Sequence, residues 1–198
     1  MCRCKYPKAI NKKGVSIIED EKRERCYKVS LLLGKKGSNI LVIVRAPKAM
    51  EEDSFNSVYK RVIKFLDMNK DEFEGIQKVT IVSLFTLYET TRGDLYEEYL
   101  LKGKEYIEGN DGEINNDKII AEEIHNADYI IAAWGEPLEG LDDVYRRRVE
   151  LMLKDIREEI MNSAEKKSAL MVGERSKRGY PRHCLAWSYR DELNSLWE

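Results

Sequence analysis

His183 is one of two histidines in the chain and sits in Gly179-Tyr180-Pro181-Arg182-His183, where a guanidinium directly precedes the imidazole. That pair can polarise a carbonyl or hold a phosphate oxygen. A histidine in such a turn can equally be satisfied by backbone hydrogen bonds alone. The other histidine, His125, falls in a helical pattern and reads as scaffold. Three further stretches gather polar or aromatic residues: Arg45-Ala46-Pro47-Lys48-Ala49-Met50-Glu51-Glu52-Asp53-Ser54, Ser83-Leu84-Phe85-Thr86-Leu87-Tyr88-Glu89-Thr90-Thr91 and Trp134-Gly135-Glu136-Pro137. Asp53 or Glu52 supplies a carboxylate for general-base work, although an Asp ahead of an amphipathic run is also a helix cap. Pro47 is either a turn residue or part of a site wall. Trp134-Gly135 is either a packed aromatic and a turn, or a stacking surface and a place for close backbone approach. Arg146-Arg147-Arg148 lies on a helix, so its three side chains point in different directions, as on a solvated face, with a phosphate clamp as the alternative.

These stretches follow elements that alternate in type. Ile40-Leu41-Val42-Ile43-Val44 is a continuous apolar run, the pattern of a strand buried on both faces. Phe55, Val58, Tyr59, Val62, Ile63, Phe65 and Leu66 then recur at helical spacing. A second strand is predicted over residues 79–85, a short helix beyond Gly93-Asp94, a surface loop from Gly103 to Asp117 and a helix carrying Ile120, Ile124 and Ala127. A third strand at 129–133, a long amphipathic helix marked by Val144, Val149, Met152, Leu153, Ile156 and Ile160, and a fourth strand at 169–172 complete the series. Ahead of it, 15–18 and 27–33 flank a charged link and read as an N-terminal β-hairpin. The expected fold is α/β: a three-layer sandwich with a four-stranded parallel central sheet flanked by helices, plus the hairpin. In such sheets ligands bind beyond the carboxyl ends of the strands, where all four stretches would meet.

With 198 residues, 42% hydrophobic and 35% charged, the expectation is one domain, 1–198, with an extension and hairpin over 1–38 and a core over 39–190. The N-terminus lacks a secretory pattern and no apolar run is long enough for a membrane span, so a cytoplasmic protein without membrane contact is expected. Four cysteines, Cys2, Cys4, Cys26 and Cys184, are too sparse for a disulfide framework or a paired zinc motif. No cofactor or metal is implied. A net charge of −2 gives no global attraction to duplex DNA, so any basic function is local. The pattern does not specify an oligomeric state.

In this order the segments resemble the bacterial and phage domain-of-unknown-function family 1643 over roughly residues 25 to 187. The matching residues are Arg25, Tyr27, Pro47, Asp53, Leu84-Phe85, Thr90, Asn116-Asp117, Ala133-Trp134-Gly135, and Gly179 with Pro181-Arg182-His183 and Leu185. Ala46 stands where the family has Asn, Lys48 where it has Ser, Ser83 where it has Asn, Tyr88 where it has Arg and Cys184 where it has Pro. The motif order is in turn similar to that of uracil-DNA glycosylases, which implies a glycosylase-like fold with Pro47, Ser83, Trp134-Gly135 and His183 in corresponding places.

The resemblance implies a site directed at a nucleobase, nucleotide or single-stranded nucleic acid. As an enzyme the chain would be an N-glycosidase-like hydrolase. Asp53 would be the base, His183 would stabilise the leaving anion, and Arg45 and Arg182 would hold phosphate, with Pro47, Ser83, Thr90, Trp134 and Gly135 lining the substrate. Ala46 cannot position water, and Ser83 reaches less far than Asn. The alternative is a non-catalytic binding module in which Trp134, Tyr180 or Tyr88 stacks and Lys177, Arg178 and Arg182 supply charge.

Overall fold

The computed structural model describes residues 14–48, 57–88 and 94–197. Its centre is strand β3 (Ser38–Val44), in which Ile40 to Val44 are each at most 1% exposed. Successive side chains of a strand point to opposite faces. Ile40, Val42 and Val44 accordingly enter one core, and Leu41 and Ile43 enter the other.

Strands β4 (Ile76–Ser83) and β5 (Tyr129–Ala133) pair in parallel with the two edges of β3, and β6 (Ser168–Val172) pairs in parallel with β5. The sheet continues on both sides. Strand β2 (Cys26–Leu32) lies antiparallel to β4, β1 (Val15–Glu19) antiparallel to β2, and β7 (Leu193–Ser195) antiparallel to β6. The order is β1-β2-β4-β3-β5-β6-β7.

The expected four-stranded parallel sheet is therefore corrected to a mixed sheet of seven strands, and the N-terminal hairpin is part of it. The glycosylase-like architecture does not describe this sheet. A strand's pattern announces which of its faces is buried, but not which strand lies beside it. Register joins β2 to β4 through Val29↔Ile81 and Ser30↔Thr80, and the two hydroxyls of the latter pair lie 3.2 Å apart. Leu193-Asn194-Ser195 has no apolar run to reveal β7.

One face is covered by α1 (Ser57–Met68), whose Val58, Tyr59, Val62, Ile63, Phe65 and Leu66 are buried. The Phe65 ring lies 5.1 Å from that of Trp187, which closes the same core. The other face carries α2 (Asp94–Lys102), α3 (Lys104–Glu108), α4 (Asn116–Asn126) and α5 (Asp142–Asn162), through Leu95, Ile107, Ile120, Ile124, Tyr145, Val149, Met152 and Ile156. α3 lies inside the stretch expected to be a loop. Its one fully buried side chain, Ile107, holds the turn down between Gly103 and Gly109, both at positive φ. No helix among the described residues is long and apolar enough to cross a membrane.

Candidate functional site

The carboxyl ends of β3, β4, β5 and β6 face the same way, and the chain beyond each is held by specific contacts. Past β3, the carbonyls of Val44 and Arg45 accept from Leu84 N and Phe85 N at 2.9 Å each, so the parallel pairing with the β4 segment runs on beyond both strands. Ala46 and Pro47 are buried there, while Arg45 and Lys48 are half-buried. Arg45 Nη1 donates to the Glu136 carbonyl at 3.3 Å, which ties the end of β3 to the loop after β5.

Past β5, the chain turns at Gly135, whose φ is +71°. The Tyr145 hydroxyl of α5 secures the turn, donating to the Gly135 carbonyl at 2.7 Å with the Trp134 carbonyl 3.1 Å away. Glycine is required here twice over. The left-handed backbone disfavours any side chain, and an added Cβ would lie 2.7 Å from His183 Cβ. The next strand end repeats this arrangement: Gly173, after β6, has φ +66°, and an added Cβ would lie 3.2 Å from Arg182 Nη1. Arg182 and His183 thus lie across the ends of two neighbouring strands, each against a glycine.

His183 also caps the 3-10 helix Cys184–Ala186, its Nδ1 accepting from Leu185 N at 3.3 Å. An acceptor Nδ1 in a neutral ring leaves the proton on Nε2, which makes Nε2–H the available donor. The neutral form is strongly favoured: burial, with the positive charges of Arg45 and Lys48, lowers the imidazole pKa to about 4. Cys184 beneath it is fully buried, and burial pushes its thiol up to about 12, so it stays protonated and unreactive.

Of the residues expected to form one site, Arg45, Gly135 and His183 come together, and Pro47 is buried in the same segment as Arg45. Lys48, which the sequence marked only as a departure from a family pattern, joins them electrostatically. Asp53, Glu52 and Thr90 lie outside the described residues, as do Cys2 and Cys4. Ser83 ends β4 opposite Val44 and is 4% exposed. Its carbonyl accepts from Asn116 Nδ2 at 3.1 Å. Trp134 has no exposed surface, so its ring presents no face on which a base can stack.

Arg182 diverges from His183. Its guanidinium lies over Gly173 with Nη1 3.6 Å from Asp191 Oδ2, in a cleft at the β6–β7 end of the sheet. Tyr88 is half-buried and donates its hydroxyl to Glu19, whereas Tyr180 packs edge-on against Tyr145 at 5.6 Å. Lys177 and Arg178 are exposed, and Arg178 pairs with Asp142.

Arg148 corrects the reading of the arginine triplet as a solvated face. It is 2% exposed, its Nε donates to the Leu84 carbonyl at 3.0 Å, and Nη1 lies 2.5 Å from Asp117 Oδ1. It supports the segment after β4 from below, beside Asn116. The signal was in the helical period: Tyr145, Arg148, Val149, Met152 and Ile156 form one buried stripe of α5.

No curated protein and no solved structure matches the chain. A family model described as a protein of unknown function, DUF1643, matches residues 27–185, from the first residues of β2 to the turn that His183 caps. That span contains the carboxyl ends of β3, β4, β5 and β6, and the chain belongs to the DUF1643 family.

Proposed function

We propose that the chain binds a nucleotide or a single nucleic-acid strand through its phosphate, which Arg45, Lys48 and His183 take at the carboxyl ends of β3 and β5. The observation that carries this reading is the placement of His183. It sits against Gly135 with Nδ1 engaged by Leu185 N, and the charges of Arg45 and Lys48 are close enough to depress its pKa. An arginine tied to the turn, a lysine whose charge reaches the imidazole and a neutral N–H donor suit an anionic oxygen better than a cation or an apolar group. A net charge of −2 also suits a short anion rather than a long duplex. The grouped cations and N–H donor support phosphate binding, and the hydrolytic alternative is separated from it by assaying for released base.

The test is equilibrium titration with nucleoside monophosphates and a short mixed-sequence single strand across a salt series, with the mixture examined for released base. For about two phosphate contacts the log–log slope for a single strand is about −1.4. His183→Gln weakens binding about tenfold or more, consistent with loss of a charge-assisted hydrogen bond of about 1.5–3 kcal/mol. Equal affinity in wild type and variant, or no salt dependence, removes this reading. Free base accumulating with wild-type protein would turn it into the hydrolytic one.

A further inference from the structure

The cleft on the Arg182 side has a volume of about 690 Å³ and lies one strand away from His183. Small-molecule sites occupy about 300–1,000 Å³. Its walls carry Arg175, Arg182 and Arg190 together with Glu174, Asp191 and Glu192. Three cations among three carboxylates leave no net charge, so this cleft does not select an anion. What it offers is donors and acceptors side by side, with Glu174 next to Arg175 and Arg190 next to Asp191 and Glu192 along the chain.

Part of that pattern is already committed and part is available. Arg175 donates to the carbonyls of Gly179 and Leu196, which fixes its position. Arg182 and Asp191 are loosely paired at 3.6 Å. Among the described residues Arg190, Glu174 and Glu192 have no ion-pair partner, and the Glu192 main chain is anchored because its carbonyl accepts from Gly173 N at 2.8 Å.

We infer that this cleft receives a purine base, with guanine the best match, while the phosphate of the same nucleotide lies at His183; the inference rests on the phosphate reading above. Guanine is neutral and carries acceptors O6 and N7 on one edge, where a guanidinium binds in bidentate fashion. Its N1–H and N2–H2 donors form a second edge, and a carboxylate accepts from both. Adenine and cytosine each offer only part of this pair of edges. The spacing is consistent with one ligand. Gly135 and Gly173 end adjacent parallel strands, which lie about 4.8 Å apart. Arg182 and His183 lie against the ends of those neighbouring strands, so one nucleotide, with its base and phosphate on either side of the sugar, is the ligand that would bridge them.

The experiment is calorimetric titration of the full chain with inorganic phosphate, cytidine monophosphate, guanosine monophosphate and guanosine. It is repeated on Glu192→Gln and Arg190→Ala, which alter outward-facing groups and leave the sheet intact. Guanosine monophosphate is expected to bind at least about tenfold more tightly than cytidine monophosphate or phosphate, and each variant to lose that advantage while its phosphate affinity is unchanged. If cytidine and guanosine monophosphates bind alike, or both variants keep the preference, the cleft assignment is overturned and the phosphate reading stands. If guanosine binds and Glu192→Gln weakens it while phosphate does not bind, the cleft assignment stands and the phosphate reading fails. Absence of binding by all four overturns both.

Discussion

Gly135 and His183 are in contact so close that a single methyl group on the glycine would lie 2.7 Å from His183 Cβ and 3.2 Å from its backbone nitrogen. The obstacle is backbone and a side-chain root, neither of which can swing aside. Gly135→Ala therefore combines the cost of a left-handed alanine, about 1–2 kcal/mol, with overpacking of about 1–3 kcal/mol. At Gly173 the nearest atoms belong to the far end of the Arg182 side chain, which can move. Gly173→Ala should cost only the backbone part, about 1–2 kcal/mol. Urea midpoints of the two variants check this, and equal losses would refute the contact argument.

The depressed pKa of His183 makes stability depend on pH in a defined window. The unfolded chain takes up the imidazole proton near 6.5, whereas the folded chain resists protonation until about 4. Between these values the unfolded state binds more protons, so stability falls as pH falls from 6.5 towards 4 and the contribution is fully present above 6.5. The contribution is about 3 kcal/mol at most, and His183→Gln should flatten this part of the profile. An unchanged slope in the variant would mean that other groups set the acid limb.

Arg148 and Arg147 are neighbours in sequence and opposites in consequence. Arg148→Met removes a buried guanidinium and leaves the Leu84 carbonyl without its donor, for an expected loss of about 3 kcal/mol. Arg147 is exposed, and Arg147→Met should change stability by less than about 0.5 kcal/mol. Comparable unfolding midpoints would show that the buried network contributes little.

Trp134 is a packing residue in this geometry, with its indole inside the core shared with Tyr145 and Phe85. Trp134→Phe should lower stability by about 1–3 kcal/mol through the space it vacates, and leave nucleotide affinity within about twofold of wild type. A large loss of affinity with stability intact would restore a direct ligand contact.

Element types were legible wherever the hydrophobic period was long. The buried runs at 40–44 and 129–133 and the amphipathic stripes of α1 and α5 announce themselves through the number of apolar groups that must leave water together. Strand neighbours were not legible, because Val29 and Ile81 each indicate a buried face and neither names the other as its partner. The same limit applied to the site. Pro-Arg-His and Trp-Gly could be singled out by type, but two glycines separate the roles of Arg182 and His183, and that separation exists only once β5 and β6 lie side by side.

The insertion of β4 between β2 and β3 also imposes an order of events during synthesis. β1 and β2 emerge first, and a two-stranded hairpin is marginal by itself in water. The edge of β2 finds its partner only after β3, α1 and β4 have been made, a wait on the order of seconds at about 5–20 residues per second. Through that interval Val29 and Leu31 have no sheet to cover them. The nascent β1–β2 segment is thus exposed in that interval to mispairing or to capture by a chaperone, although in the finished protein both residues are at most 2% exposed.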